Sequence, residues 1–143
     1  MVNIEFKCDG KKLSESVPLD FGTVQAGTSS AIKTVEVLNT GSSDAQQCTI
    51  ESVEATVANG FTTTAQAGTA AETYRAQQFA NDATSASWYG YAVVGIGKDF
   101  SNRVGGTISK TNGSDSFATK WLPPASGASG QKTWGNVFSC VYI

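Results

Sequence analysis

The chain has 143 residues, of which 40% are hydrophobic and only 15% are charged, and its net charge is −2. This length and apolar content suit one domain with a single core. The 10 basic residues are scattered, so the basic stripe that binds nucleic acid is missing. No apolar run approaches the about 20 residues of a membrane span, and the N-terminus lacks the basic and apolar regions of a signal peptide.

The composition also argues against catalysis. The chain contains no histidine, which is the commonest general base and the commonest metal ligand. Most aspartates stand beside Gly, Asn or Ser and are typical of caps and turns, and no spacing matches a calcium loop. The glycines at 95–97 and 105–106 lack phosphate-loop spacing, which favours loops and bulges. We therefore predict a protein that is not an enzyme, with no catalytic residues, no metal site and no cofactor.

Three cysteines, Cys8, Cys48 and Cys140, form an odd set without CxxC spacing. Each lies in a stretch of alternating apolar residues, where a free cysteine behaves as a small buried hydrophobe. One intramolecular disulfide, or an intermolecular one, is the alternative.

The N-terminal part of the chain is predicted to form short strands. Apolar and polar residues alternate over 2–7, which is the pattern of a half-buried strand, and Asp9-Gly10 marks a turn. Residues 17–22 read as an edge strand or a strand start, because Pro18 lacks the amide that a central strand needs. A further strand is predicted over 31–39.

The middle of the sequence is less regular. A strand over 46–57 changes the parity of its apolar residues, which predicts a β-bulge near Glu51-Ser52. Another strand is expected over 61–64. The capping-box pattern at 69–72 predicts a short helix that continues to Asn81, with an irregular loop as the alternative.

The C-terminal part returns to strand patterns. A strand is predicted over 85–96, a hairpin of 104–110 and 116–122 around the turn 111–114, a flexible segment over 125–130, and a last strand over 133–143. The total of eight or nine short strands, without repeated helices between them, predicts an all-β fold, an antiparallel β-sandwich.

The segment LDFGTVQAGT at 19–28, followed by VEVLNTG at 35–41, resembles the start of the abnormal-spindle/hydin (ASH) type of immunoglobulin-like domain. In that pattern an edge strand delivers Phe21 to the core and Gly27 turns the chain. The segment from Trp121 also resembles the end of such a domain. The resemblance implies one immunoglobulin-like sandwich over 1–143, with 65–115 as an elaboration, and a scaffolding or binding role.

Aromatic residues are the candidate binding groups. Trp88 and Tyr89 are neighbours in a predicted strand, so their side chains point to opposite faces and one of them leaves the core. Exposed aromatic rings stack on sugars or anchor protein interfaces. The candidates are Trp88, Tyr89, Tyr91 and Trp134, and core packing is the alternative for each.

The composition and the resemblance together favour one function over two others. A free-standing immunoglobulin-like domain rich in small residues is similar to accessory proteins of tailed-phage particles. We therefore expect a virion structural protein that is made in the host cytoplasm and decorates or cements the capsid or tail, as a homo-oligomer. The alternatives are a carbohydrate-binding or adhesion module, whose partner is a glycan, and an intracellular scaffold domain.

Overall fold

The computed structural model describes residues 1–55, 59–68, 72–125 and 129–141. These residues form two β-sheets around one hydrophobic core, so the predicted all-β sandwich is confirmed. The strands, in chain order, are β1 (Ile4–Cys8), β2 (Lys11–Leu13), β3 (Leu19–Val24), β4 (Lys33–Asn39), β5 (Ala45–Val53), β6 (Gly60–Ala67), β7 (Gln77–Ala80), β8 (Tyr91–Val93), β9 (Gly106–Ile108), β10 (Gly113–Trp121) and β11 (Gly130–Val141).

The first sheet has the order β2-β1-β4-β10-β7, and each neighbouring pair is antiparallel. The predicted Asp9-Gly10 turn joins β1 to β2, with φ angles of 52° and 78°. Positive φ at both central residues matches the right-handed twist of a two-residue hairpin. In β4, Val35 and Val37 are buried while Glu36 is exposed, as the alternation predicts.

The second sheet has the order β3-β6-β11-β5-β8, and β9 also pairs with β5. The strand β3 lies at the edge, as Pro18 immediately before it predicts, and it runs parallel to β6. The strand β11 lies in the centre of the sheet, between β6 and β5. In an immunoglobulin sandwich the last strand lies at a sheet edge, so the strand order here differs from that arrangement.

The predicted bulge in β5 occurs earlier than expected. The ladder between β5 and β11 is regular from Thr49 to Val53 and irregular between Gln46 and Thr49. Gln47 has a φ of 54°. A bulge at this point lets Ala45 and Cys48, which are three residues apart, both point into the core. The prediction of a bulge near Glu51-Ser52 was therefore wrong in position, and Val57 lies outside the described residues.

The prediction that a short helix continues to Asn81 is wrong. Residues Tyr74–Ala76 form one 3₁₀ turn, and the chain then continues as β7. Gln77 and Phe79 are buried and lie opposite Trp121 and Thr119 of β10. Burial of this face against the sheet outweighs local helix propensity. The capping residues 69–71 lie outside the described residues.

The strand predicted over 85–96 is confirmed only at β8. Before it, Tyr89 forms an isolated bridge with Phe79, with both backbone hydrogen bonds present at 2.7 and 2.8 Å. The chain then crosses to the second sheet, where β8 pairs with β5. This crossing between the edges of two sheets prevents one long strand.

The predicted hairpin of 104–110 and 116–122 is also wrong. The strand β9 pairs with β5, whereas β10 pairs with β4 and β7 in the other sheet. Thr111 and Asn112, with φ of 59° and 72°, form the turn between the two sheets. The last strand begins at Gly130, inside the segment predicted to be flexible.

Candidate binding surface

After β8 the chain forms a narrow excursion that we call the 95–107 hairpin. Ile96 and Thr107 exchange two backbone hydrogen bonds of 2.9 and 3.0 Å, and Asp99 and Val104 exchange two of 2.9 Å. The amide of Arg103 donates to the carbonyl oxygen of Phe100 and closes the tip. Each of these five backbone hydrogen bonds needs an aligned donor and acceptor, so the hairpin has a defined shape.

Glycines make the base of the hairpin possible. A Cβ on Gly106 would lie 2.4 Å from the carbonyl carbon of Gly95, and a Cβ on Gly95 would lie 2.5 Å from the amide nitrogen of Thr107. Gly95 also has a φ of 106°, which side chains with a Cβ rarely adopt. The sequence interpretation of these glycines as loop and bulge positions agrees with this close approach.

One carboxylate attaches the hairpin base to the first sheet. Asp115 of β10 accepts hydrogen bonds from the amide of Gly95 at 2.6 Å and from Lys98 Nζ at 2.7 Å. Burial, the largest single influence, raises the pKa of Asp115, but the hydrogen bonds from Lys98, from Gly95 and from the Ser116 backbone, together with the charge of Lys98, lower that pKa below its ordinary value. Asp115 is therefore ionised at neutral pH and bridges the hairpin to β10.

Three rings pack together where the hairpin tip meets β8, and we call them the aromatic cluster. The centroid of the Tyr89 ring lies 5.5 Å from that of Tyr91 and 5.6 Å from that of Phe100, and Tyr91 lies 6.5 Å from Phe100. The hydroxyl of Tyr91 donates to the Phe100 carbonyl oxygen. Each ring is half-buried, so the cluster holds the tip in place and leaves part of its aromatic surface accessible.

Two cations cover aromatic faces in this region. The Arg103 guanidinium carbon lies 4.6 Å from the Tyr91 centroid and also pairs with Glu51 of β5. Lys120 Nζ of β10 lies 4.2 Å from the centroid of Trp88. Such cation–π contacts contribute about 0.5–1 kcal/mol at exposed sites. They favour placement of both cations over the rings in the unbound chain.

Exposed apolar side chains extend the surface. Ile96 is 82% exposed and Val104 is 48% exposed, and both belong to the 95–107 hairpin. A groove of about 570 Å³ continues from Arg103 and Val104 across β5 to Val141 at the end of β11, which is 49% exposed. The hairpin, the aromatic cluster and this groove form one continuous candidate surface, which we call the hairpin surface.

The sequence candidates separate into three groups. Tyr89 and Tyr91 come together in the aromatic cluster, and Trp88 stands against Lys120. Trp134 is fully buried in the core, so its assignment as a binding residue is corrected. Its side chain points inward because alternate residues of β11 face the core, and Trp134 shares that face with Asn136 and Phe138.

The sequence did not select Phe100 or Arg103 as binding residues. In the sequence, Phe100 stands in a turn-rich segment between two pairs of glycines, and Arg103 follows it closely. This pattern is the sequence signal that could have identified both residues. Strand patterns do not predict the contact between this loop and Tyr91, because that contact depends on how the hairpin folds back.

Comparison with protein-family models, with curated proteins and with solved structures finds no match to this chain. Within the described ranges, no group of three or more His, Cys, Asp or Glu residues is placed to hold a metal ion. The same part of the chain contains no helix with the length and apolarity that crossing a membrane requires.

Proposed function

We propose that this chain is a non-enzymatic virion structural protein, which decorates or cements a phage particle by docking the hairpin surface against a capsid or tail protein. The observation that carries the proposal is the aromatic cluster with Arg103 stacked on it, beside the exposed Ile96 and Val104. Tyr, Trp and Arg are the residue types that dominate binding energy in protein interfaces. The low charge content of the chain is also suited to close contact with neighbours.

The internal contacts of the surface favour a protein partner. Asp115 holds the hairpin backbone at Gly95, the Tyr91 hydroxyl holds it at Phe100, and Arg103 already lies over the Tyr91 ring. Groups that are ordered before docking lose less entropy on binding. The exposed Ile96 and Val104 add apolar area that binding removes from water. A preorganised patch of this kind can therefore bind a protein without first rearranging.

A carbohydrate-binding module is the second candidate, because Trp88, Tyr89 and Tyr91 are half-buried at the surface. Sugar stacking needs an open aromatic face. Lys120 covers one face of Trp88 and Arg103 covers one face of Tyr91, and the Tyr89 ring packs against both other rings of the cluster. These contacts favour the protein partner over the glycan.

The decisive experiment uses particles purified from the culture that produces this chain. We expect the chain to co-sediment with the particles in a density gradient at a fixed ratio to the major capsid or tail protein. Tagged chain should rebind to particles from which it has been removed. Tyr91→Ala and Arg103→Ala should each weaken rebinding about tenfold or more, as expected for interface hot spots.

Arg75→Ala is the matched control, since Arg75 lies 5.5 Å from the Tyr74 ring centroid in the same kind of stack but outside the hairpin surface. It should rebind like the unmodified chain. Equal loss in Arg75→Ala, or no particle association, would contradict the proposal. Quenching of tryptophan fluorescence by a glycan panel would instead favour the carbohydrate module, and stable binding to purified cellular proteins would favour the scaffold. Light scattering after size exclusion tests the expected homo-oligomer.

A further inference from the structure

Cys48 and Cys140 face each other across the bulge in β5. In the ladder between β5 and β11, Thr49 lies opposite Ser139 and Gln46 lies opposite Val141. Cys140 therefore lies opposite the two bulge residues, Gln47 and Cys48. Directly opposed residues of a regular antiparallel pair have Cβ atoms about 4.5–5.5 Å apart. A bulge sets two residues against one, so Cys48 is a near neighbour of Cys140 on the adjacent strand, and a local shift of the bulge brings the two within disulfide reach.

The two thiols differ in access. Cys48 is fully buried, and its sulfur donates to the carbonyl oxygen of Ala45 at 3.3 Å. Cys140 is half-buried and lines two grooves, the 570 Å³ groove of the hairpin surface and another of about 590 Å³ beside Phe6 and Phe138. A small reagent can therefore approach Cys140 first, because Cys48 is fully buried and lines neither groove.

The third thiol has other surroundings. Cys8 lies in β1 of the first sheet and is buried. Burial and the charge of Asp9 raise the pKa of its thiol, and the charge of Lys33 lowers it. By contrast, the neighbouring Cys140 is one of the groups that raise the pKa of the Cys48 thiol. The strand register and these surroundings single out one pair among the three cysteines.

We infer that Cys48 and Cys140 form a dithiol site that a small-molecule disulfide, such as glutathione disulfide, converts to an intramolecular disulfide. The Cys140 thiolate attacks one sulfur of the reagent, forms a mixed disulfide and releases one glutathione thiol. The Cys48 thiolate then attacks the Cys140 sulfur and releases the second glutathione. The protein loses two electrons and two protons, and the reagent is reduced to two thiols.

The reaction is slow at neutral pH. Burial raises the pKa of Cys140, and burial together with the neighbouring Cys140 raises the pKa of Cys48 to about 12. Only the thiolate attacks a disulfide. Below these pKa values the thiolate fraction grows about tenfold for each pH unit, so the rate of closure rises steeply with pH.

The test uses the full chain without substitutions. The protein is incubated with glutathione disulfide at pH 7.5 and at pH 8.5, quenched with N-ethylmaleimide in denaturant, digested with trypsin without reduction and analysed by mass spectrometry. Trypsin cleaves after Lys33, Arg75 and Lys132 and places Cys48 and Cys140 on separate peptides. We expect a linked species of peptides 34–75 and 133–143, formed about tenfold faster at the higher pH.

Two variants define the mechanism. Cys48→Ala should stop at a stable glutathione adduct on Cys140, and Cys8→Ala should still form the linked species. The inference is overturned if Cys140 stays as an adduct in the unmodified chain, joins a second chain, or links to Cys8. It is equally overturned if no cysteine reacts at pH 8.5 during a day while the dichroism spectrum stays that of the folded chain.

Discussion

At the scale of single residues, one buried hydrogen-bond chain joins the two sheets. Trp134 Nε1 of β11 donates to Gln77 Oε1 of β7 at 2.6 Å, and Gln77 Nε2 donates to Thr119 Oγ1 of β10 at 2.9 Å. The Trp134 ring also packs against Trp121, with centroids 5.2 Å apart. The buried amide of Gln77 is paired at both ends, which is what burial of a polar group requires.

Trp134→Phe removes the donor to Gln77 and leaves its buried Oε1 without that partner. The expected result is a loss of about 1–3 kcal/mol in the free energy of unfolding for the unpaired group, with a further loss from the smaller ring. Urea unfolding followed by far-ultraviolet dichroism measures the difference. Trp88→Phe is the control, because Trp88 Nε1 donates to Ser85 in a partly exposed site. Similar losses in both variants would show that the buried hydrogen bond contributes little.

At the scale of elements, the 95–107 hairpin depends on close backbone contact and on one ion pair. Gly95 and Gly106 allow the contact, and Asp115 with Lys98 attaches the base of the hairpin to β10. These two features are independent, since one is steric and the other electrostatic. They can be tested separately.

Gly106→Ala should disrupt the hairpin, because the new Cβ meets the backbone of Gly95, which cannot rotate away. We expect destabilisation of at least about 1–3 kcal/mol, the usual cost of overpacking, and faster hydrogen exchange of the Ile96 amide. Gly90→Ala is the matched control, since a Cβ there has nothing within 4 Å. An unchanged exchange rate in Gly106→Ala would contradict the steric argument.

The Asp115 pair predicts a pH dependence. Its pKa is lower in the folded chain than the roughly 3.9 of an unfolded aspartate. The pair therefore stabilises the fold fully above about pH 4, and this stabilisation is lost as pH falls through the folded pKa. Urea midpoints measured from pH 7 to pH 2 should fall more steeply for the unmodified chain than for Asp115→Asn. Parallel curves for the two proteins would refute the assignment.

At the scale of the whole molecule, the order of the second sheet determines when folding can finish. The strand β11 pairs with β5 on one side and β6 on the other. Until β11 is present, β5 and β6 have no shared partner, and the inward face that carries Trp134 is missing from the core. Such non-local pairing is typical of slowly folding β proteins.

A chain truncated after residue 129 should therefore be unfolded. We expect its amide proton spectrum to lack the dispersion of a folded β protein, whereas the full chain diluted from urea regains that dispersion. The physical reason is that removal of a central strand exposes two strand edges and the core together. A dispersed spectrum for the truncated chain would show that the first sheet folds without β11.

The sequence by itself determined the local features of this protein. The alternation in β4, the Asp9-Gly10 turn and the edge position of β3 follow from side-chain period and from backbone preferences, which act between near neighbours. Only the tertiary structure decided that β6 and β5 share β11, that Trp134 is buried, and that Phe100 and Arg103 meet Tyr91. Side-chain alternation identifies a strand but not the strand with which it pairs, because every strand has the same period. Pairing depends on which distant segments bury their apolar faces together.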